Sequence, residues 1–461
     1  MVRIFRHYVS PVKLSLAITD FAVILGATFA AEWLRHSWLG IELNPNFQIT
    51  LAKFLVPLFF TPILLGLGGY QSDAVRDVKV FSLRLIIALF ATAVVLSAFL
   101  YFFPVLPLWR SILVLAMVIS SVLMYLVHVS YLRFAGSNFL SRRVVLFGDG
   151  PEAEDLIEYA EKAAEAGLNI VSVVTAATNG RVREAETAKE ITAFDDYLAE
   201  NRVEMVILAN QDMGDLPIDA LISAKLAGVE IKDRLTFFEQ VRGYVALPSV
   251  KPEWIIFSDG FKGGVGIERT AKRLLDILIS LVALVASLPL IVLAAAVVAV
   301  SSRGPVLYRQ ERVGLNNKAF NLLKFRSMVV DAENKDKPQW AKESDPRVTL
   351  VGRFLRRTRI DELPQIVNVL KGDMSFVGPR PERPFFVNKL EAEIPFFRER
   401  HCVKPGITGW AQIQYPYGAS VEDSRRKLEY DLYYIKNYSI FLDILIILQT
   451  VRVILFPIGV R

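Results

Sequence analysis

The sequence holds one cysteine, Cys402, and only four histidines, His7, His36, His128 and His401, in 461 residues. One thiol allows no disulfide within the chain, which fits soluble parts kept in a reducing compartment. Histidines this scattered exclude a Cys/His zinc site. A metal here has to be held by carboxylates and substrate oxygens, as magnesium is. Also missing is any Lys/Arg run interleaved with aromatics. Nucleic acid is therefore not expected as a partner, although the net charge is +6 and the pI is about 9.2. A basic chain of this kind more often faces anionic lipid or phosphorylated small molecules.

What is abundant is apolar length. Hydrophobic residues make up 53% and the mean hydropathy is +0.38, yet 22% of residues are charged. The expected fold class is therefore a membrane protein of mixed α and α/β structure, with two or three domains. Four apolar stretches come first, at Leu14–Trp33, Leu51–Tyr70, Leu83–Phe103 and Ser111–Leu132. Each is near the ~20 residues that span a bilayer. The first has a basic flank but no small-residue cleavage site, so it is read as a retained span. Arg76, Lys79 and Arg84 between spans two and three, and Arg133, Arg142 and Arg143 after span four, place both ends of this four-helix transmembrane bundle (1–137) in the cytoplasm.

Residues 138–256 read as a Rossmann-like α/β domain. Strands are expected at 143–147, 170–175 and 205–209, with helices between them, which implies a parallel sheet. The first strand runs into Gly148-Asp149-Gly150-Pro151-Glu152-Ala153. This is a degraded dinucleotide fingerprint: alanine replaces the third glycine, proline sits in the turn, and no acidic residue follows the second strand. A structural or regulatory domain and true nucleotide binding both stay open.

The third region, 266–461, opens with Lys272, Arg273 and Asp276 and the apolar run Ile277–Val300. Pro289 lies in its middle, where it deletes a helical hydrogen bond. Both flanks are basic, and a true span would carry the remainder of the chain across the membrane against the charge bias. A re-entrant helix over 273–301 satisfies both observations; a kinked span is the alternative. Ile440–Phe456, apolar but interrupted by Asp443, Gln449 and Arg452, reads as an interfacial helix.

Chemistry concentrates after the re-entrant segment. Pro364 is tolerated only in a first helical turn, so a helix should begin near Asp361. Asp361 and Glu362 would then sit at its N-terminus, where phosphate is favoured, and two adjacent carboxylates also suit magnesium. The alternative is that Asp361 only caps the helix. Around the pair lie Lys324, Arg326, Arg353, Arg356, Arg357, Arg359, Arg380 and Arg383. Arg380 stands between Pro379 and Pro381, so its guanidinium is presented on a stiff backbone, suited to phosphate. His401-Cys402 lacks a completing partner and reads as packing. Trp410 is open between core packing and stacking on a uracil ring.

Five segments occur here in one order: Gly304-Pro305-Val306-Leu307-Tyr308-Arg309-Gln310-Glu311-Arg312-Val313-Gly314, Lys324-Phe325-Arg326-Ser327-Met328, Asp361-Glu362-Leu363-Pro364-Gln365, Gly378-Pro379-Arg380-Pro381-Glu382-Arg383-Pro384 and Lys404-Pro405-Gly406-Ile407-Thr408-Gly409-Trp410-Ala411-Gln412. From about Lys272 to Gln449 the chain resembles the bacterial sugar transferases. These are polyprenyl-phosphate hexose-1-phosphate transferases with a monotopic phosphoglycosyl transferase domain. The whole architecture resembles their large, exopolysaccharide-initiating members. The resemblance implies a mainly α catalytic domain that moves a hexose-1-phosphate from a UDP-sugar to undecaprenyl phosphate and releases UMP. It implies Asp361 as nucleophile, Glu362 as magnesium ligand beside it, and Lys324, Arg326, Arg356 and Arg380 as phosphate binders. It also implies a bacterial inner-membrane protein with its catalytic part on the cytoplasmic face, in contact with membrane lipid; a homodimer is left open. One departure stands out. The family often has Ser-Pro at the helix break, whereas here Leu288 precedes Pro289 and Ser287 is one residue earlier. A membrane-bound sugar-nucleotide dehydratase or epimerase is the rival enzyme reading. It needs an intact fingerprint and a Tyr-x-x-x-Lys pair, and no tyrosine here has lysine four residues on. A non-enzymatic scaffold leaves the Asp361-Glu362 cluster without a use.

Overall fold

A computed structural model of the chain describes residues 2–40, 47–104, 108–135, 142–148, 153–154, 156–158, 168–176, 182–184, 190–191, 194–209, 216–261, 266–301, 303–329, 347–415, 418 and 420–455. The chain begins with a small hairpin, β1 (Val2–Ile4) and β2 (His7–Val9), and then divides into two compact units, one ending at Val250 and the other beginning at Lys251, with residues 3–7 grouped in the second.

The first unit opens with α1 (Pro11–Leu39), α2 (Phe47–Gly66), the short α3 (Ser72–Arg76), α4 (Val78–Phe102) and α5 (Arg110–Ala135). Proline starts α1 and Gly40, in the left-handed region, ends it, each where its backbone is preferred. The side chain of Asp77 starts α4 by accepting from the Lys79 N–H. All four apolar stretches read from the sequence are helical. The second is a correction in length: α2 carries Pro57 and Pro62, and its apolar part, Leu51–Gly66, is shorter than the helices apolar and long enough to cross a membrane. Among the described residues those are Pro11–Leu39, Val78–Phe102, Arg110–Arg133 and Ile267–Ser301. Buried charges in the bundle come in pairs. Asp20 meets His128, whose ring stacks on Phe81 at 3.6 Å, Lys53 meets Glu32, and Arg84 holds Asp73 and the Gly68 carbonyl.

The same unit contains a six-stranded sheet of β3 (Arg142–Phe147), β4 (Leu168–Ala176), β5 (Val182–Glu184), β6 (Glu190–Ile191), β7 (Met205–Leu208) and β8 (Glu230–Asp233), in the order β6-β5-β4-β3-β7-β8. β4, β3, β7 and β8 run parallel, as the alternating pattern predicts; β5 and β6 add an antiparallel edge. Helices α6 (Phe194–Glu200), α7 (Ile218–Leu226) and α8 (Arg234–Arg242) complete it, and Val145, Val174, Val206, Phe194 and Leu198 form its core. Gly148, directly after β3, has φ 135°, a backbone conformation that favours glycine. The remainder of the fingerprint, Asp149 to Glu152, lies outside the described residues.

The second unit starts with α9 (Pro252–Phe257) and the long α10 (Ile267–Ser301). The sequence leads one to expect a sharp break at Pro289. Instead α10 is a single 35-residue helix with Pro289 inside it. Both ends of α10 are fastened within this unit. Near its start, Lys272 donates to Asp443 at 2.7 Å and to the Val377 carbonyl, and Asp276 accepts from the Ser375 hydroxyl and the Phe376 N–H. Near its end, Ala294 and Val298 pack with Phe325 and Leu355.

There follow the antiparallel pair β9 (Leu307–Val313) and β10 (Ala319–Phe325), then α11 (Leu350–Arg357) and α12 (Gln365–Lys371). β11 (Ser375–Val377) pairs in parallel with β12 (Gly406–Thr408), on either side of α13 (Pro384–Glu393). The chain closes with α14 (Trp410–Gln414), α15 (Val421–Lys436), which Ser420 and Asp423 start with a capping box, and α16 (Ile440–Leu455). "Mainly α" thus leaves out two strand pairs, one of which carries Lys324. Helix α16 buries Leu442, Asp443 and Ile446 and exposes Ile444, Val451 and Ile454, an amphipathic arrangement suited to an interface.

Candidate active site

Three local devices bring the charged residues together. The first is the β9–β10 pair, which sets Lys324 opposite Tyr308. The second is Asn368 on α12, only 1% exposed. Its Oδ1 accepts from the Leu323 N–H at 3.0 Å and its Nδ2 donates to the Asn321 carbonyl at 2.8 Å, so α12 is stitched to β10 beside Lys324. The third is Gly352, where a Cβ would lie 1.9 Å from the Ser327 carbonyl oxygen. Only glycine lets α11, which bears Arg356, lie this close to the chain after β10. Arg359 then turns the backbone with φ 60°, a conformation costly for a non-glycine residue, and leads into a 3-10 turn over Ile360–Glu362.

At that turn one carboxylate is surrounded by cations. Glu362 Oε1 lies 2.7 Å from Arg380 Nη2, 3.2 Å from Lys324 Nζ and 3.8 Å from Arg359 Nη1. Burial would push the Glu362 carboxyl up, but Arg380, Lys324 and Arg359 prevail and hold it well below the usual carboxylate range. Burial lowers Lys324, reinforced by Arg380 and Arg312 and opposed by Glu362 and Asp361. Asp361, 7% exposed, has a buried Oδ1 with no hydrogen-bond partner. Its carboxyl is pushed up by burial and then by Glu362, against the pull of Lys324, Arg356 and Arg359. The result is an ionised glutamate with three cations on one of its oxygens, next to an aspartate with an oxygen to spare.

The helix expected to begin at Asp361 begins at Gln365, after Pro364, which has no side-chain cap. The pair therefore precedes the helix, and the N–H groups of Glu362 and Leu363 already bond the carbonyls of Arg359 and Ile360. Side chains, not a helix dipole, supply the positive charge. The structure gathers Lys324 and Arg380 on Glu362 and places Arg356 in the field of Asp361. Arg326, 8% exposed, donates to the Val298 carbonyl at 3.4 Å in the last turn of α10, which gives it a capping use. Arg359, named in the sequence only among the basic residues around the pair, and Asn368, not named there at all, both belong to this constellation. A positive-φ arginine has no sequence signature, and the partner of Asn368 is 47 residues away.

Trp410 is 5% exposed and stacks on Tyr433, whose hydroxyl meets His7 at 2.8 Å. Its core reading holds and a uracil platform is not available there. His401 is buried, with its imidazole lowered to about 3 by burial and Arg400. Cys402 is exposed, against the packing expectation, and partial burial of its thiol together with Glu399 pushes it up to about 11. The pair offers no thiolate nucleophile.

Comparison with known proteins bears on both units. Residues 267–457 match the family model described as bacterial sugar transferase, and residues 66–212 match one described as CoA-binding domain. A UDP-N-acetylgalactosamine-undecaprenyl-phosphate N-acetylgalactosaminephosphotransferase of Aeromonas hydrophila is 49% identical over 190 residues, 41% of this chain and 45% of the relative. A UDP-glucose:undecaprenyl-phosphate glucose-1-phosphate transferase of Escherichia coli (strain K12) is 45% identical over 188 residues, 40% of each chain. The chain thus spans less than half the length of these two relatives. One of Klebsiella pneumoniae, with the same name as the E. coli protein, is 34% identical over 330 residues, 69% of each chain, more than either unit holds alone. A likeness of that extent, joined to a match across the carboxylate and its cations, settles descent: the chain belongs to the bacterial sugar transferase family.

Proposed function

We propose that this chain transfers a hexose-1-phosphate from a UDP-sugar to undecaprenyl phosphate, releasing UMP, as the first membrane step of an exopolysaccharide. The observation behind this is Asp361 Oδ1, a buried carboxylate oxygen without a partner, one residue from a glutamate ringed by three cations. Such an oxygen suits attack on phosphorus. In the first step Asp361 forms a bond to the β-phosphorus of the nucleotide-sugar, and the bond to the bridging oxygen breaks, so that UMP leaves with the electron pair. In the second, an oxygen of undecaprenyl phosphate attacks the same phosphorus and frees the Asp361 carboxylate. Lys324, Arg356 and Arg380 face the phosphate charge as it redistributes. Arg326, which directly follows β10, is the fourth cation proposed to face that charge.

The donor set fits magnesium of the kind that substrate phosphates help to hold. Two adjacent carboxylates are present, one with a free oxygen, and among the described residues no group of three or more His, Cys, Asp or Glu forms a protein cage. Glu362 and Asp361 would hold it. Bound there, it supplies neutralisation of the diphosphate charge.

Helix α10 is read as re-entrant. Support comes from the basic residues on both flanks and the fastening of both its ends within one unit, not from a break at Pro289, where the helix is continuous. This reading keeps the catalytic part on the cytoplasmic face of the inner membrane, where UDP-sugars are made, with the lipid phosphate at headgroup depth. The test is UMP release by the full chain with undecaprenyl phosphate and magnesium, across UDP-glucose, UDP-galactose and UDP-N-acetylgalactosamine. Lipid-dependent UMP release from one of them is expected. A modified sugar still attached to UDP, or no turnover with any of the three, overturns the proposal.

A further inference from the structure

The segment Pro379-Arg380-Pro381 has little to offer as a donor, because two of its three residues lack an N–H. It is fastened through its acceptors instead. The Gly406 N–H donates to the Pro379 carbonyl at 2.9 Å, Arg400 Nη2 to the Arg380 carbonyl at 3.0 Å, and Arg312 Nη1 to the Pro381 carbonyl at 2.9 Å. Three consecutive carbonyls are thus held by donors from three separate stretches of chain. The middle one belongs to the residue whose guanidinium reaches Glu362 at 2.7 Å. Arg400 is no surface cation. It is 6% exposed and lies 2.8 Å from Asp431 on α15, itself 1% exposed.

We infer that Arg400, anchored by Asp431, is a positioning residue that fixes the backbone of Arg380 and so aims its guanidinium at Glu362 and the substrate phosphate. The inference rests on the phosphate role proposed for Arg380. Proline on either side narrows the backbone freedom of Arg380, and the bond from Arg400 selects one orientation within what remains. Phosphoryl transfer is sensitive to this: a misplacement of about 1 Å can cost on the order of a hundredfold in rate. The competing role for the pair is to hold α15 in place, with no bearing on Arg380.

A double-mutant cycle separates these roles, with UMP release measured on the full chain. Removing Arg400 alone strands a buried carboxylate, so both partners are replaced, as Arg400→Met with Asp431→Leu. This replacement is expected to leave the unfolding temperature near that of the parent and to lower kcat about tenfold or more. In an Arg380→Ala background the same replacement should cost less than about threefold, because the group it positions is gone. Losses that simply multiply overturn the inference. If the replaced pair does not fold, Arg400→Lys takes its place in the cycle. It keeps a charge beside Asp431 but is too short to serve both partners, and multiplying losses again overturn the inference. Full activity of Arg380→Ala would instead overturn the phosphate role itself, a result distinct from failure of the cycle.

Discussion

The membrane bundle and the Asp361 turn both bury charge, but with opposite arithmetic. In the bundle the two buried cations each have an anion, Lys53 with Glu32 and Arg84 with Asp73, and Asp20 meets His128. At the turn, Glu362 draws three cations, while Asp361 keeps an oxygen unpartnered. Asp20 also keeps Oδ1 without a partner, so an orphaned oxygen alone does not mark a reactive site. What separates the two regions is the surplus of positive charge. Matched pairs satisfy the fold and leave nothing over, whereas three cations on one glutamate retain field for an incoming anion.

The largest effect should come from the group the arrangement leaves free. Asp361→Asn is expected to lower transfer by about a thousandfold or more, because an amide is no nucleophile toward phosphorus. A labelled sugar phosphate should be trapped on the parent and not on the variant, and near-normal turnover by Asp361→Asn would break the comparison. In the bundle the loss should fall on stability instead. Lys53→Met leaves Glu32 buried and unpaired, at a cost of about 3–5 kcal/mol, and Lys53→Met with Glu32→Leu should recover most of it. Thermal unfolding in detergent measures both, while turnover by the folded fraction should stay unchanged.

A smaller loss is expected from Glu362→Gln, about a hundredfold, with a weaker magnesium dependence. The variant also reports on pH. Asp361 must be ionised to attack, so activity should fall as pH drops through its raised value, and the acid limb should lie above the ordinary aspartate range. Removing the Glu362 charge takes away the second upward push, so the limb should move to lower pH. A limb that stays in place or moves up would contradict the coupling. The smallest effect should come from Pro289→Ala, which restores a helical donor toward the Val285 carbonyl. In a Cys402→Ser background, cysteines near Lys272 and Arg312 should be labelled from one face in the parent, and a minor fraction from opposite faces in the variant. Opposite-face labelling in the parent would refute the re-entrant reading.

Local pattern was enough for the long elements. The apolar lengths of α1, α4 and α5 and the alternation behind β3, β4 and β7 stand in the sequence because burial is written residue by residue with a fixed period. The short strands β9 to β12 and β8 were not legible. β11 and β12 have three residues each, and β12 closes on β11 because Gly378 and Gly406 admit no side chain: a Cβ on Gly406 would lie 2.1 Å from the Gly378 nitrogen. Glycine in a strand has many explanations, and only the neighbour selects one. The start of α12 was misjudged because Pro364 is compatible with a helix beginning before it as well as at it.

The sequence by itself determined which residues carry the charge, that the chain is built for a membrane, and where the carboxylate pair stands between its motifs. Only the tertiary structure decided what that charge does. Lys324 and Glu362 are 38 residues apart and Arg380 is 18 further on, yet all converge on one oxygen. The reason is physical. Chain neighbours fix backbone preference, but the field at a carboxylate depends on distances through space, which Asn368, Gly352 and the positive φ of Arg359 set together.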